Sequence, residues 1–317
     1  MFDDLLSTMR VIALPTKTNF RGITVREVAL FKGEYGWGEF SPFLEYGDSE
    51  SYRWLASAIE AATQPRPTRL RSSIPVNGTI PATNDKAVID GLIASYPGVK
   101  TFKVKVGENL TEDIARLAHI RSLGSSIKIR IDVNGSWSVD QALTNLYAMY
   151  EAIGPFEYVE QPCATLDELR ELKEKITVPL VIAADEVVRK AEDPFAIDLE
   201  GAVDIVMLKV QPLGGISRSL AIASHHKLPV VVSSALESAV GIQYGLELAA
   251  SINNLAFDCG LATGSLLARD VAQLPIANGE IALKELEIDL DGLDVDAERY
   301  EWWKNRAMRA AAVLGIK

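Results

Sequence analysis

From about residue 73 onward, short apolar runs, polar loops and stretches of helical period follow one another along the chain. Their spacing of roughly 25 residues is what a strand plus a crossover helix requires. Strands are expected near residues 74–78, 101–106, 127–131, 158–160, 180–184, 205–208, 230–232 and 256–259. Eight right-handed βα units close most naturally into a barrel. Helix starts carry their own signals. Ser138 with Gln141, and Thr165 with Glu168, fit the capping box, and Glu112 and Asp113 after Thr111 put acids at a positive helix terminus.

Before residue 73 the pattern is mixed. Residues 25–31 and 37–40 read as a hairpin around the turn at 33–36, and a helix follows with Ser49 as N-cap and Tyr52, Leu55, Ala56 and Ile59 at helical spacing. The loops at 18–22 and 41–47 are free to cover something. After residue 274, residues 280–283 and 286–290 alternate like strands. Residues 297–314 read as a helix with Trp302, Trp303, Met308, Ala312 and Leu314 available for burial. The expected organisation is a barrel, residues 73–269, set between two parts of an α+β capping domain, residues 1–72 and the returning segment 270–317.

With 317 residues, 48% of them hydrophobic, the chain can fill a large core, and a formal net charge of −11 argues against nucleic acid or an anionic membrane as partner. The first residues lack a basic segment leading into an apolar one, and no uncharged apolar run reaches spanning length, so a cytoplasmic protein is expected. Cys163 and Cys259 belong to no metal or redox pattern, and His119, His225 and His226 all fall in helical segments.

The chemistry concentrates at strand ends, which in such a barrel face the active site. Asp132, Glu160 and Asp185 end three successive strands at one height. Unpaired carboxylates so placed repel one another strongly, and a hard divalent cation resolves this; Mg²⁺ suits three oxygen ligands, with Mn²⁺ as a substitute. Lys103 and Lys105 share one strand face, and Lys209 ends the sixth strand on the opposite side of the mouth. Such a set can remove a proton beside a metal-bound carboxylate, with Lys105 as base and Lys209 across from it. Lys103, two residues from Lys105 on the same face, supplies like charge that favours the free amine of its neighbour.

These residues resemble the enolase superfamily in its lysine/lysine branch, the muconate lactonizing enzyme subgroup. The likeness rests on Lys103-Val104-Lys105, Asp132-Val133-Asn134, Glu160-Gln161-Pro162, Asp185-Glu186 and Lys209. It implies a modified (β/α)7β TIM-type barrel with a capping domain, a metal on Asp132, Glu160 and Asp185, and acid/base chemistry at Lys105 and Lys209. A further likeness, to the branch's dehydratases of a cyclohexadiene dicarboxylate, rests on Arg130 and on the runs at 232–238 and 258–264. It implies a carbon–oxygen lyase acting on a small dicarboxylate, with Lys103, Arg130, Asn134, Ser233, Ser234 and Gly260 facing the substrate.

The substrate's second carboxylate is expected to rest on backbone amides, serine hydroxyls and water. Racemases and epimerases of the same branch stand as alternatives, although the eighth strand lacks the Asp-x-Asp with which the epimerases hold an ammonium. A Schiff-base aldolase using Lys209 and a non-catalytic scaffold are remoter ones. Neither a monomer nor a homo-oligomer is singled out.

Overall fold

The computed structural model describes residues 2–20 and 22–316. Helix α1 (Phe2–Ser7) leads into an antiparallel meander of β1 (Arg10–Phe20), β2 (Ile23–Gly33) and β3 (Gly36–Phe40), and α2 (Asp48–Thr63) packs on it. The approach is close: a Cβ at Gly38 would lie 2.0 Å from the Ala58 carbonyl oxygen, so only glycine lets β3 meet this helix. Strand β1 was not among the expected elements. Its Val11 enters the core of this cap while Ile12 and Leu14 enter the main core, so apolar residues occur on both faces and the two-residue alternation is lost.

The barrel follows as β4 (Ser73–Pro75), β5 (Gly78–Ile80), α3 (Lys86–Ala94), β6 (Thr101–Lys105), α4 (Leu110–Arg121), β7 (Lys128–Asp132) and α5 (Val139–Ile153). Next come β8 (Tyr158–Glu160), α6 (Leu166–Lys175), β9 (Ile182–Ala184), α7 (Glu186–Arg189), β10 (Ile205–Lys209), α8 (Val210–Leu213), α9 (Ile216–His226), β11 (Val230–Ser233) and α10 (Ala239–Ser251). Strands β5 to β11 make one curled parallel sheet in sequence order. The capping boxes at Ser138/Gln141 and Thr165/Glu168 are both formed.

Two expectations about the barrel strands need correction. The first expected strand is divided: β4 pairs away from the barrel with a later hairpin, and β5 alone pairs with β6. The eighth is no regular strand; residues 256–260 meet their neighbours through single bridges, Val76 to Cys259 and Ser233 to Gly260.

Strand parity divides the barrel into two cores. Phe102, Val104, Ile129, Ile131 and Val159 pack outward under the helices, while Tyr158, Ala183, Ile205, Met207 and Val231 cluster on the other parity, inside. Beyond a 3₁₀ turn (Thr263–Leu266), β12 (Ile276–Ala277) pairs with β13 (Glu280–Ala282), which pairs in turn with β4, whereas α11 (Ala297–Val313) returns to the cap. Trp303 of α11 is buried edge-on to Phe40, ring centroids 5.8 Å apart. Residues 286–290, expected as a strand, form none; the Asp289 amide donates instead to the Val271 carbonyl. Among the described residues no helix is long and apolar enough to cross a membrane.

Cap and barrel are joined by carboxylates at helix starts. Glu39 of β3 accepts from the amides of Ser238 and Gly241 at the start of α10, and from Gln211 Nε2 in α8. Glu60 of α2 accepts from the Ile216 and Ser217 amides that open α9, and from the Tyr244 hydroxyl. Each negative charge thus sits where free N–H groups and the helix dipole favour it.

At this seam Glu237 is fully buried, and burial, then the neighbouring Glu39, pushes its carboxyl up from 4.5 to about 7. Between those values the folded chain keeps a proton that the unfolded chain has released, so this group lowers stability as pH rises through the window. Glu237→Gln has no proton to release. Urea denaturation should show the variant gaining on the wild type between pH 5 and pH 8, by up to about 3 kcal/mol. A difference independent of pH would contradict this.

Candidate active site

Strand register builds the site. Lys105, Asp132 and Glu160 are direct partners on β6, β7 and β8, so they form one row across three adjacent strand ends. Asp185 follows β9 and Lys209 ends β10, completing an arc around the mouth. Gln161 fixes the two middle strands against each other: its side-chain oxygen accepts from the amides of Asp185 and Val187, and its nitrogen donates to the Cys163 carbonyl.

Ammonium groups lie between the carboxylates. Lys103 Nζ donates to both Glu160 oxygens at 3.1 and 3.2 Å and lies 3.5 Å from Asp132 Oδ2. Lys209 Nζ donates to Asp185 Oδ2 at 2.6 Å and stands 4.0 Å from Glu160 Oε1. Lys105 differs. Its Nζ is 3.7 Å from Asp132 Oδ1 and makes no hydrogen bond among the described residues.

The electrostatics follow from this lattice. Burial and then Asp132 push the Glu160 carboxyl up to about 7, against the pull of Lys103 and Lys209. Burial also opposes the charge on Asp185, but Arg189 and Lys209 outweigh it and hold this carboxyl well below the usual range. For Lys103, burial works against the ammonium, while Glu160 and Asp132 more than compensate and keep it charged.

No three metal-ligating side chains form a single cluster among the described residues, because Lys103 stands between Asp132 and Glu160 and Lys209 between Glu160 and Asp185. The donor set nonetheless fits a hard divalent cation. It offers carboxylate oxygens only, at or just past the C-terminal ends of three adjacent strands.

A cavity of about 480 Å³ opens over the row, lined by Lys103, Lys105, Asp132 and Lys209 below and by Phe43 and Trp54 of the cap above. Of the loop at 18–22 expected to cover the site, Gly22 lines this cavity and Arg21 lies outside the described residues. Asn134, with φ of 52°, lines it and donates to Glu186 Oε1; Ser234 lines it too.

Three expected substrate contacts are placed elsewhere. Arg130 is fully buried one interior layer below Asp132, donating to Glu157, Asn77 and the Asp258 carbonyl with its guanidinium over the Tyr158 ring. Sequence position put it near the site, but a residue two places before a strand end sits a layer deeper. Ser233 and Gly260 do not line the cavity; they press on each other where the barrel closes, and a Cβ at Gly260 would lie 2.5 Å from Ser233 Oγ.

The cavity also takes in residues outside the expected set, Phe43, Trp54, Glu108 and Pro212 among them, and one of these additions bears directly on a strand-end carboxylate. Arg189 lines the cavity four residues after Asp185, and its Nε donates to Asp185 Oδ1 at 3.1 Å. The one available signal was the (i, i+4) spacing from a strand-end carboxylate.

The fold and site define the class, and comparison with known proteins agrees. The enolase N-terminal domain-like family matches residues 11–62 and the enolase C-terminal domain-like family residues 91–288. Muconate lactonizing enzyme from Pseudomonas putida superposes with a TM-score of 0.71 at 21% identity, over 93% of this chain and 97% of that one. Muconate lactonizing enzyme from Pseudomonas fluorescens complexed with muconolactone gives 0.72 at 22% identity, over 93% and 97%. The chain belongs to the enolase superfamily, which implies use of a divalent metal.

Sequence relatives narrow this. The o-succinylbenzoate synthase of Mycobacterium ulcerans is 49% identical over 96% of this chain and 93% of its own length. That of Mycolicibacterium smegmatis is 45% identical over 98% of both. Within the superfamily, the chain belongs to the o-succinylbenzoate synthases.

The buried arginine yields a test. Arg130→Met strips Glu157, Asn77 and the Asp258 carbonyl of a shared donor, so the unfolding free energy should fall by about 3–5 kcal/mol. An unchanged denaturation midpoint would show that Arg130 does not hold this part of the barrel together.

Proposed function

We propose that this chain is a cytoplasmic carbon–oxygen lyase that converts 2-succinyl-6-hydroxy-2,4-cyclohexadiene-1-carboxylate to 2-succinylbenzoate by syn-dehydration, in menaquinone biosynthesis. The observation that carries the reading is the contrast among three lysines. Lys103 and Lys209 are tied to carboxylates, and Lys105 stands in the cavity without a hydrogen bond among the described residues.

Asp132, Glu160 and Asp185 would hold Mg²⁺, with Mn²⁺ as a substitute. Bound there, the ion supplies positive charge where the ring carboxylate gains electron density. Lys105 takes the proton from the ring carbon bearing the carboxylate. The electrons of that C–H bond move into the ring as the neighbouring C–O bond breaks. Because the loss is syn, the leaving oxygen lies on the Lys105 side, so the same ammonium can return its proton and water departs. Lys209, held by Asp185, presents a fixed positive charge to the other face of the electron-rich ring. Asn134 and Ser234 complete the polar lining. In this reading residues 73–269 form the catalytic barrel, and residues 1–72 with 270–317 form the cap.

An epimerase acting on an aminated substrate is disfavoured by the eighth-strand position. Asp258 there accepts from Thr101 Oγ1, while its carbonyl takes Arg130, so this carboxylate is engaged below the site.

Incubation with the cyclohexadiene dicarboxylate and Mg²⁺ should release 2-succinylbenzoate, and a chelator should stop turnover until Mg²⁺ or Mn²⁺ is restored. Absence of product under these conditions defeats the assignment. Lys105→Ala and Lys209→Ala should each lower kcat by at least about 10²- to 10⁴-fold with the fold retained. Lys103→Arg keeps a charge beside Glu160 and should retain more activity than Lys105→Arg; the reverse order would move the base to Lys103. Alanine at Asp132, Glu160 or Asp185 should reduce both activity and Mg²⁺ affinity.

A further inference from the structure

The proposed substrate carries two carboxylates, and only the one on the ring has been given a partner. The serine hydroxyls expected to receive the second are poorly disposed. Ser233 faces Gly260 away from the cavity, and Ser234 Oγ donates to the Gly260 carbonyl and exchanges a second bond with Thr263 Oγ1. With its proton committed to that carbonyl, Ser234 offers lone pairs to an incoming anion.

Around the same cavity, charge is unevenly spread. The exposed Glu108 lies on the rim just past β6, an unfavourable neighbour for a carboxylate. Three strands further round stands Arg189, largely buried yet lining the cavity. Its guanidinium has five N–H groups, of which one donates to Asp185, one to the Tyr46 hydroxyl at 3.1 Å and one to Glu186 Oε1 at 2.8 Å. Two N–H groups are left. Trp54 and Pro212 line both this cavity and an outer cleft of about 570 Å³, and Arg189 does the same, so the three form a shared wall. A short methylene tail laid along Trp54 and Pro212 would bring its terminal group to the guanidinium.

We propose that Arg189 binds the carboxylate of the succinyl tail, an assignment that rests on the dehydratase reading above. The protein's net charge of −11 repels a dianion at long range, so each carboxylate needs its own local cation. Lys103 and Lys209 spend their charge on Glu160 and Asp185, and Lys105 is the base. Arg189 also pairs with Asp185 and Glu186 but keeps two N–H groups that donate to no described residue, and a charge-assisted N–H···O bond is about twice as strong as the neutral contacts that serine or water can offer. Its bonds to Asp185 and Tyr46 hold the guanidinium in place before substrate arrives.

The test is a two-by-two comparison in the Mg²⁺-loaded enzyme. 2-Succinylbenzoate and its tail amide, with the ring carboxylate kept in both, are titrated calorimetrically into wild type and Arg189→Met. In the wild type the amide should bind about 10- to 100-fold more weakly than the dicarboxylate. In the variant the dicarboxylate's advantage over the amide should fall toward unity, whatever both ligands lose together through the contact of Arg189 with Asp185. Arg189→Lys should recover part of the loss for the dicarboxylate alone.

Equal weakening of both ligands by Arg189→Met would mean that Arg189 acts through Asp185 and not on the tail, which overturns the proposal. So would equal affinity of the wild type for the two ligands, a comparison that stands even where the variant fails to fold. Turnover of the cyclohexadiene dicarboxylate by the wild type separates the two readings: if turnover occurs while the affinity pattern fails, only the role of Arg189 falls.

Discussion

Everything at the mouth of this barrel depends on compensating three carboxylates that parallel strand register forces together. Asp132 and Glu160 are register partners, Asp185 follows one strand on, and the last two are almost wholly withdrawn from solvent. Buried like charges this close are untenable without cations among them. The chain meets the demand with Lys103 and Lys209 between neighbouring carboxylates and Arg189 behind Asp185. This allocation leaves Lys105 without a hydrogen bond among the described residues.

The cap is as much part of the site as the barrel is. Phe43 and Trp54 roof the cavity, and the loop carrying Phe43 and Tyr46 is fixed from the far end of the chain: Arg306 of α11 donates to the carbonyls of Phe43 and Tyr46. Arg53 of α2 reaches the other way, donating to the backbone of Arg189, Ala191 and Glu192. With Glu39 and Glu60 seated on the helices that follow β10 and β11, the cap grips the elements that carry Lys209, Arg189 and Ser234. The cavity is therefore lined by side chains far apart in sequence, while the carboxylates and lysines stay on consecutive strands.

That division fits the superfamily. A muconate lactonizing enzyme shares this fold at 21% identity, and one fold can carry different linings from cap and loops.

What the sequence by itself determined is the periodic part. Alternating strands and helices, capping boxes and polar strand ends are local signals, set by backbone geometry that repeats every two or 3.6 residues. They sufficed to place Lys103, Lys105, Asp132, Glu160, Asp185 and Lys209 around one mouth. Strand β1 was not legible because burial on both faces erases its alternation, and the eighth position lost its regular pairing where Gly260 closes on Ser233. Arg130 shows the deeper limit. Its place two residues before Asp132 fixes its parity, but whether it meets substrate depends on how strands stagger around the barrel, and that stagger puts it against Glu157 and the Asp258 carbonyl. Arg189 is the converse case, unremarkable in the chain and brought to the cavity by a short helix and by Tyr46, a partner 143 residues away. Tertiary packing alone decides such contacts, because they depend on the relative placement of cap and barrel, which no local period encodes.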